Sequence, residues 1–221
     1  MRFKDVFSII GPGMIGPSSS HTAGAVRIGR AARHLFGGMP LQAELTLYGS
    51  FAETYEGHGT DLALAAGLLD YATDDERIRN ALSLAKALGM ELTFNAARDP
   101  TVHPNSVLLT LRSENREDSF MGASIGGGNA EMTKINGFDV KFSVHNPTLL
   151  VFHADRLGML AAFTSLIEAE WLNISYMDVN RKSRAGDALT VIQTDERLSG
   201  KLPDRIRAIE GVRRVASMNL S

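Results

Sequence analysis

The spacing of hydrophobic and polar positions changes near residue 147 and predicts two domains. After this point a short apolar run at 149–152 has the length of a buried strand. Apolar residues then recur at three- and four-residue steps between Leu157 and Ile167, which predicts an amphipathic helix. The elements that follow are predicted strands at 173–179 and 188–193, a helix that begins near Leu202, and a strand at 212–218. The order βαββαβ predicts a ferredoxin-like fold for residues 147–221.

Residues 1–146 show a mixed pattern that predicts an α+β domain, with helices packed on a mostly antiparallel sheet. An apolar stripe at three- and four-residue spacing predicts a helix that begins after three serines at 18–20 and ends at Phe36, before two glycines. Two more helices are predicted at 60–71 and 76–88. Strands are predicted at 41–48, 90–95, 106–112, 119–125 and 130–144.

Composition and charge exclude several classes of protein. The chain has 221 residues, of which 44% are hydrophobic and 22% charged, which suits two folded domains and excludes a largely disordered chain. The formal net charge of −2 shows no basic excess, so we expect no nucleic-acid partner. No apolar run reaches the ~18–20 residues of a membrane span, and glycine and proline interrupt the first residues, so we expect no membrane association and a cytoplasmic location. The sequence has no cysteine, which excludes disulfides and thiolate metal ligands from this chain.

The strongest motif is the run Gly-Pro-Ser-Ser-Ser-His-Thr-Ala-Gly at 16–24. It crowds three hydroxyls and His21 at a helix start, where unpaired amides and the positive end of the helix dipole favour an anion. An ordinary helix cap needs one serine only. Gly24 costs stability inside a helix unless another group approaches it closely. The motif therefore predicts a site for a carboxylate or phosphate.

The segment Gly-His-Gly-Thr-Asp at 57–61 places an imidazole, His58, beside a second helix start. Thr60 or Asp61 is expected to cap that helix. Taken alone, the segment is better explained as a flexible turn with Asp61 as the cap. Two such helix starts in one domain can converge on one anionic ligand.

Two further segments carry candidate chemistry. Ser124 precedes three glycines at 126–128, whose amides can form a nest for an anion, although the lysine and spacing of a nucleotide-binding loop are missing. Asn105, in a His-Pro-Asn turn, offers both a donor and an acceptor, or caps its own turn. Imidazole and carboxylate groups would suit zinc or iron. Their spacing does not indicate a site, so we predict no metal ligands in this chain.

Together these motifs resemble the beta subunit of bacterial iron–sulfur-dependent L-serine dehydratases of the two-subunit kind, over essentially the whole chain. The resemblance implies a serine dehydratase beta domain at 1–146, similar to the allosteric substrate-binding domain of phosphoglycerate dehydrogenases, and an ACT domain at 147–221. The first loop of the latter, Asp-Arg-Leu-Gly at 155–158, lacks the proline that many ACT domains have before the glycine.

The resemblance also implies a reaction and its partners. Members of the family convert L-serine to pyruvate and ammonia through aminoacrylate, as an L-serine ammonia-lyase of amino-acid degradation and gluconeogenesis. A [4Fe-4S] cluster held by cysteines of the alpha subunit acts there as the Lewis acid on the serine hydroxyl. This chain is therefore expected to be active only with an alpha subunit. The resemblance leaves two questions open. One is whether a monovalent cation is a second cofactor, and the other is whether the chain forms a homodimer through its ACT or beta domains.

The physical chemistry of the motifs suggests roles for their residues. We expect His21 or His58 to be the acid or base, because imidazole titrates in the useful range. The substrate-binding candidates are Ser18, Ser19, Ser20, Thr60, Asn105, Ser124, Gly126 and Gly127. Two alternatives are a non-catalytic amino-acid-sensing subunit and an independent metal-dependent hydrolase. The pair of imidazoles favours the lyase over the sensor, because binding alone needs no such pair.

Overall fold

The protein is described here as a computed structural model, in which residues 13–220 are described. Two compact units are present. The first runs up to Asn136 and includes Lys141–Val144, and the second comprises Gly137–Val140 and the chain from His145. The boundary predicted at 146/147 stays a prediction.

The first unit contains helices and a sheet that is antiparallel except for one strand pair, as predicted. The sheet has six strands in the order β2-β1-β3-β4-β5-β6. Its strands are β1 (Gln42–Tyr48), β2 (Glu91–Ala97), β3 (Ser106–Ser113), β4 (Arg116–Gly126), β5 (Asn129–Ile135) and β6 (Phe138–Ser143). The helical elements are a π-helical turn (Ser19–Gly24), α1 (Ala25–Phe36), α2 (Gly49–His58), α3 (Thr60–Leu68), a 3₁₀ turn (Glu76–Asn80) and α4 (Ala81–Ala87).

Two glycines let α1 and α3 cross in contact. A Cβ at Gly29 would lie 2.7 Å from Leu64 O, and one at Gly67 would lie 2.8 Å from Arg30 N. These distances are shorter than side chains tolerate, so only glycine fits at either position. The crossing matters for function because α1 follows the His21 turn and α3 follows His58.

The predicted elements of this unit needed four corrections. The helix predicted at 76–88 is a 3₁₀ turn followed by α4. Helix α2 was not predicted, because Phe51 is its only fully buried residue and it shows almost no apolar periodicity. The strand predicted at 130–144 is two strands, separated at Asn136 and Gly137, whose φ values of 49° and 77° make the tight turn that an Asn-Gly pair favours. The helix predicted up to Phe36 begins as the π-helical turn and only then becomes α-helical.

The second unit has the predicted order βαββαβ. Its elements are β7 (Thr148–Ala154), α5 (Met159–Ala169), β8 (Ile174–Arg181), β9 (Asp187–Thr194), α6 (Leu202–Arg207) and β10 (Val212–Met218). The antiparallel order β10-β7-β9-β8 places β9 between the two strands that α5 joins, which is the ferredoxin-like topology. Leu149, Phe163 and Ile192 are buried in a core between the sheet and both helices.

Within the described range 13–220, no helix combines the length and the hydrophobicity that spanning a membrane requires.

Candidate functional site

Ser18 caps the π-helical turn, as the serine cluster predicted. Its Oγ accepts a hydrogen bond from the His21 backbone N–H at 3.2 Å, and its carbonyl accepts one from Thr22 N at 2.8 Å. Ser19 and Ser20 lie in the turn itself. Turns of this kind are rare and are found mainly at functional sites. Here the turn directs the His21 ring toward α2.

Gly24 is approached closely by Ser124, as its place in a helix predicted. A Cβ at Gly24 would lie 2.8 Å from Ser124 Cβ and nearer still to its Oγ. Ser124 comes from the end of β4 and is fully buried. The contact joins the start of α1 to the strand that ends in the glycine run.

His21 is held on both sides by hydroxyl groups. Its Nε2 lies 3.1 Å from Ser50 Oγ, and its Nδ1 lies 3.4 Å from Ser18 Oγ. The edge of the buried Phe51 ring contacts it at a centroid distance of 5.3 Å. Burial lowers the pKa of His21, the neighbouring His58 lowers it further, and a hydrogen bond to the backbone of Ser50 opposes both effects. His21 is therefore neutral at neutral pH.

His58 lies beside His21, with ring centroids 4.9 Å apart. It is the last residue of α2 and precedes α3 by one glycine, Gly59, whose φ of 66° ends the helix. Its side chain is exposed and, among residues 13–220, forms no hydrogen bond. The two motif segments predicted to converge therefore bring their imidazoles into contact.

The predicted cap of α3 is wrong. Its N-cap is Gly59, with no side-chain hydrogen bond, and Thr60 is the first helical residue. Thr60 is completely buried, so its hydroxyl points into the protein instead of back over the helix end. Asp61 follows in the first turn. Burial raises its pKa, while the amides of Leu62 and Asp61 itself oppose the shift.

A cleft of about 490 Å³ opens beside His58. It is lined by both motif segments, with Gly16, Pro17 and Thr22 on one side and residues 56–59 on the other. Of the predicted site residues, this cleft includes His58 alone. His21 lies next to His58, and its contact with Ser50 places it behind the cleft.

Five buried polar atoms on these segments have no hydrogen-bond partner among the described residues. They are Thr22 Oγ1, Thr60 Oγ1, Asp61 Oδ1, Asn105 Oδ1 and Ser124 Oγ. A buried polar group left without a partner costs about 1–3 kcal/mol, so such groups are rare unless a bound molecule satisfies them. Thr22 lines the cleft beside His58, so these groups are candidate contacts for a small polar ligand.

Asn105 is fixed at the edge of this region by its backbone. Its N–H donates to His103 Nδ1 at 3.1 Å, and its carbonyl accepts from Ser124 N at 2.9 Å. The side chain does not cap its own turn, which was the alternative for this residue. Asn105 and Ser124 are thus brought together.

The glycine run forms the turn between β4 and β5. Gly126, Gly127 and Gly128 all have positive φ, at 94°, 61° and 77°. Arg27 donates to Gly128 O at 2.5 Å, which links this turn to α1. Neither Gly126 nor Gly127 lines the cleft beside His58.

Three residues of this region were not predicted as functional: Ser50, Thr22 and Phe51. Ser50 belongs to α2, which the hydrophobic pattern does not reveal. Thr22 is part of the predicted motif, but its burial depends on the unexpected π-helical geometry.

The described residues of this chain do not fit a metal centre. Between residues 13 and 220, no three histidine, aspartate or glutamate side chains come together in an arrangement that could hold an ion. Because the whole sequence also lacks cysteine, it offers no thiolate for an iron–sulfur cluster.

Comparison with known proteins points to one family. The model of the family described as serine dehydratase beta chain matches residues 3–89. The chain is 43% identical to the "Probable L-serine dehydratase, beta chain" of Bacillus subtilis, over 99% of each chain. It is 34% identical to the "L-serine dehydratase, beta chain" of Peptoniphilus asaccharolyticus, over 95% of this chain and 96% of the relative. It is also 28% identical to a D-3-phosphoglycerate dehydrogenase of Synechocystis, over 89% of this chain but 36% of that protein.

Proposed function

Because this chain belongs to the family of L-serine dehydratase beta chains, we propose that it is the beta subunit of an L-serine ammonia-lyase that forms pyruvate and ammonia. The observation that carries the proposal is the contact between His21 and His58, whose rings lie 4.9 Å apart beside buried, unpartnered polar groups. The overall reaction removes the α-proton and the hydroxyl group of L-serine as water. The resulting aminoacrylate rearranges to an imine, which water hydrolyses to pyruvate and ammonia.

The partner in this proposal is an alpha subunit that carries a [4Fe-4S] cluster on its own cysteines. The lack of cysteine in this chain supports that division between two polypeptides. Such a cluster supplies a Lewis acid for the substrate hydroxyl. The active species is then a complex of both subunits in the cytoplasm, where pyruvate from serine can enter gluconeogenesis. A monovalent cation and pairing of two copies of this chain belong to the same proposal.

His58 is our candidate for proton transfer at the substrate α-carbon. It lines the cleft, it is exposed, and within the described residues its ring nitrogens have no hydrogen-bond partner to displace. His21 touches hydroxyl groups through both nitrogens and is neutral, so it suits the task of orienting and polarising its neighbour. This assignment divides the two roles between the imidazoles.

The hydroxyl and amide groups are our candidates for holding the substrate. The carboxylate of L-serine needs fixed donors, and Thr60 and Ser124 have unused hydroxyls. Asn105 Oδ1 is an unused acceptor, which suits the ammonium group of the substrate. The other proposed substrate-binding groups are Ser18, Ser19, Ser20 and the amides of Gly126 and Gly127. A bound substrate would form hydrogen bonds with the polar groups that have no partner among the described residues.

The test is pyruvate formation from L-serine under anaerobic conditions. We expect activity from this chain together with a cysteine-bearing alpha subunit, and none from either chain alone. D-serine is the matched control substrate, because it presents the same groups with the α-proton on the opposite side. A complex that binds L-serine but releases no pyruvate would replace the proposal with the sensor alternative. Turnover by this chain alone would also overturn it.

A further inference from the structure

Ser50 forms a side-chain hydrogen bond with His21 from outside the two motif segments and outside the cleft. It lies in the first turn of α2, which places it at the opposite end of that helix from His58. Its Oγ is 3.1 Å from His21 Nε2, the shorter of the two side-chain hydrogen bonds that the ring makes. Helix α2 thus contacts the His21 ring through a residue at each of its ends.

The position of Ser50 is fixed by its neighbours. Gly49 has a φ of 52°, and a Cβ there would lie 2.7 Å from Pro104 O, so the start of α2 is packed directly against the His-Pro-Asn turn. Phe51 donates its N–H to the same carbonyl at 3.3 Å and is fully buried. Thr54 Oγ1 donates to Ser50 O at 2.7 Å. The Ser50 hydroxyl is therefore presented to the ring from a rigid backbone.

The hydrogen-bond pattern favours one of the two neutral tautomers of His21. Ser18 Oγ already accepts the His21 backbone N–H, so its own hydroxyl hydrogen is available to donate to Nδ1. Nδ1 then has no hydrogen, and a neutral imidazole must carry its hydrogen on Nε2. Nε2–H points at Ser50, which accepts it. The two serines thus favour the same tautomer from opposite sides.

We propose that Ser50 is a positioning residue that fixes His21 as the Nε2–H tautomer and holds its ring against His58. The consequence for catalysis rests on the proposed function. The tautomer does not, because it is a property of this chain alone.

The first experiment measures the tautomer directly. The ring nitrogens of His21 are observed by ¹⁵N NMR in the full chain with labelled histidine, and the signals are assigned by their loss in His21→Gln. In the unsubstituted chain we expect Nε2 to be protonated and Nδ1 unprotonated at a pH where the ring is neutral. In Ser50→Ala both nitrogens should move toward the average of the two tautomers.

Matched variants separate this role from a general effect on folding. Ser50→Thr keeps the hydroxyl and should retain the tautomer of the unsubstituted chain. Ser83→Ala makes the same chemical change on the exposed side of α4 and should alter nothing. An unchanged His21 tautomer in a folded Ser50→Ala chain would overturn the proposal. So would a Ser50→Thr chain that behaves like Ser50→Ala.

The second experiment uses the complex with the alpha subunit. Ser50→Ala should lower kcat about fivefold with little change in KM, which corresponds to the loss of one ordinary hydrogen bond. Ser50→Thr should restore the rate. If the unsubstituted complex makes no pyruvate, the proposed function fails while the NMR result still decides the role of Ser50. A lower kcat in Ser50→Ala with an unchanged tautomer counts against positioning.

Discussion

At the scale of single residues, the two imidazoles differ mainly in what surrounds them. His21 is enclosed by Ser18, Ser50 and Phe51, whereas His58 faces the cleft. An imidazole with both nitrogens engaged exchanges protons poorly, since each transfer must break a hydrogen bond. An exposed imidazole beside it has both nitrogens available. The surroundings, more than the residue type, therefore divide the proposed roles.

Replacing His58 with alanine tests this division. We expect kcat of the complex to fall by about a hundredfold or more, as is typical for loss of a group that transfers protons. His34→Gln is the control, because His34 is paired with Asp70 at 2.9 Å on another surface of the unit. Steady-state rates of pyruvate formation with L-serine measure both variants. A His58→Ala complex with an unchanged kcat would remove His58 from the chemistry.

The lowered pKa of His21 has a consequence for folding. The unfolded chain takes up a proton near pH 6.5, but folded His21 resists protonation because of its burial and of His58. The contribution of neutral His21 to the free energy of unfolding is therefore fully present above about pH 6.5, where the imidazole is also neutral in the unfolded chain. It is lost as the pH falls through the lower pKa of the folded state.

Urea unfolding of the full chain at about pH 7.5 and about pH 5.5 measures this effect across the histidine range. We expect the unsubstituted chain to lose stability on acidification, and His21→Gln to lose less, because glutamine does not titrate. His34→Gln should retain the loss, because it leaves His21 and its surroundings unchanged. Equal acid sensitivity of the unsubstituted chain and His21→Gln would show that His21 does not titrate as described.

At the scale of elements, the site depends on where helices begin and cross. The His21 turn leads directly into α1, and His58 is followed within two residues by α3. Two close contacts fix the separation of these two helices. Gly29 packs against Leu64 O, and Gly67 packs against the Val26–Arg30 backbone. The distance between the imidazoles therefore depends on two glycines that lie outside the site.

Gly67→Ala should destabilise the first unit by about 2 kcal/mol or more, because the added methyl must separate two backbones. It should also lower kcat of the complex by displacing His58 relative to His21. Gly57→Ala is the stability control, since a Cβ there meets nothing within 4 Å and alanine favours a helix. Urea denaturation measures both. A Gly67→Ala chain as stable as the unsubstituted one would contradict the close crossing.

The order of elements in the second unit was predicted from the hydrophobic pattern. A continuous apolar run marks the buried strand β7, and apolar residues recur at helical steps along α5. Helix α2 was missed because it buries only Phe51, and with it the contact between Ser50 and His21 was missed. The close approach to Gly24 could be predicted from the cost of glycine in a helix. The identity of its neighbour, Ser124, could not, because that contact joins positions a hundred residues apart.

At the scale of the whole molecule, the proposed reaction needs metal ligands that residues 13–220 do not bring together. Residues 13–220 hold no group of three metal-ligating side chains, and the sequence has no cysteine. Clusters of the [4Fe-4S] type are bound by thiolates, usually four. The site is therefore chemically incomplete for the proposed reaction until another polypeptide is added.

Iron analysis tests this incompleteness without any assay of activity. After anaerobic reconstitution with iron and sulfide, followed by desalting, we expect the isolated chain to stay colourless and to retain no stoichiometric iron. The alpha subunit treated in the same way should retain about four iron atoms, the content of one cluster. Mixing the two should leave that content unchanged, because this chain contributes no thiolate. Stoichiometric iron on the isolated chain would mean that its histidines and carboxylates form a metal site, which the metal-dependent hydrolase alternative requires.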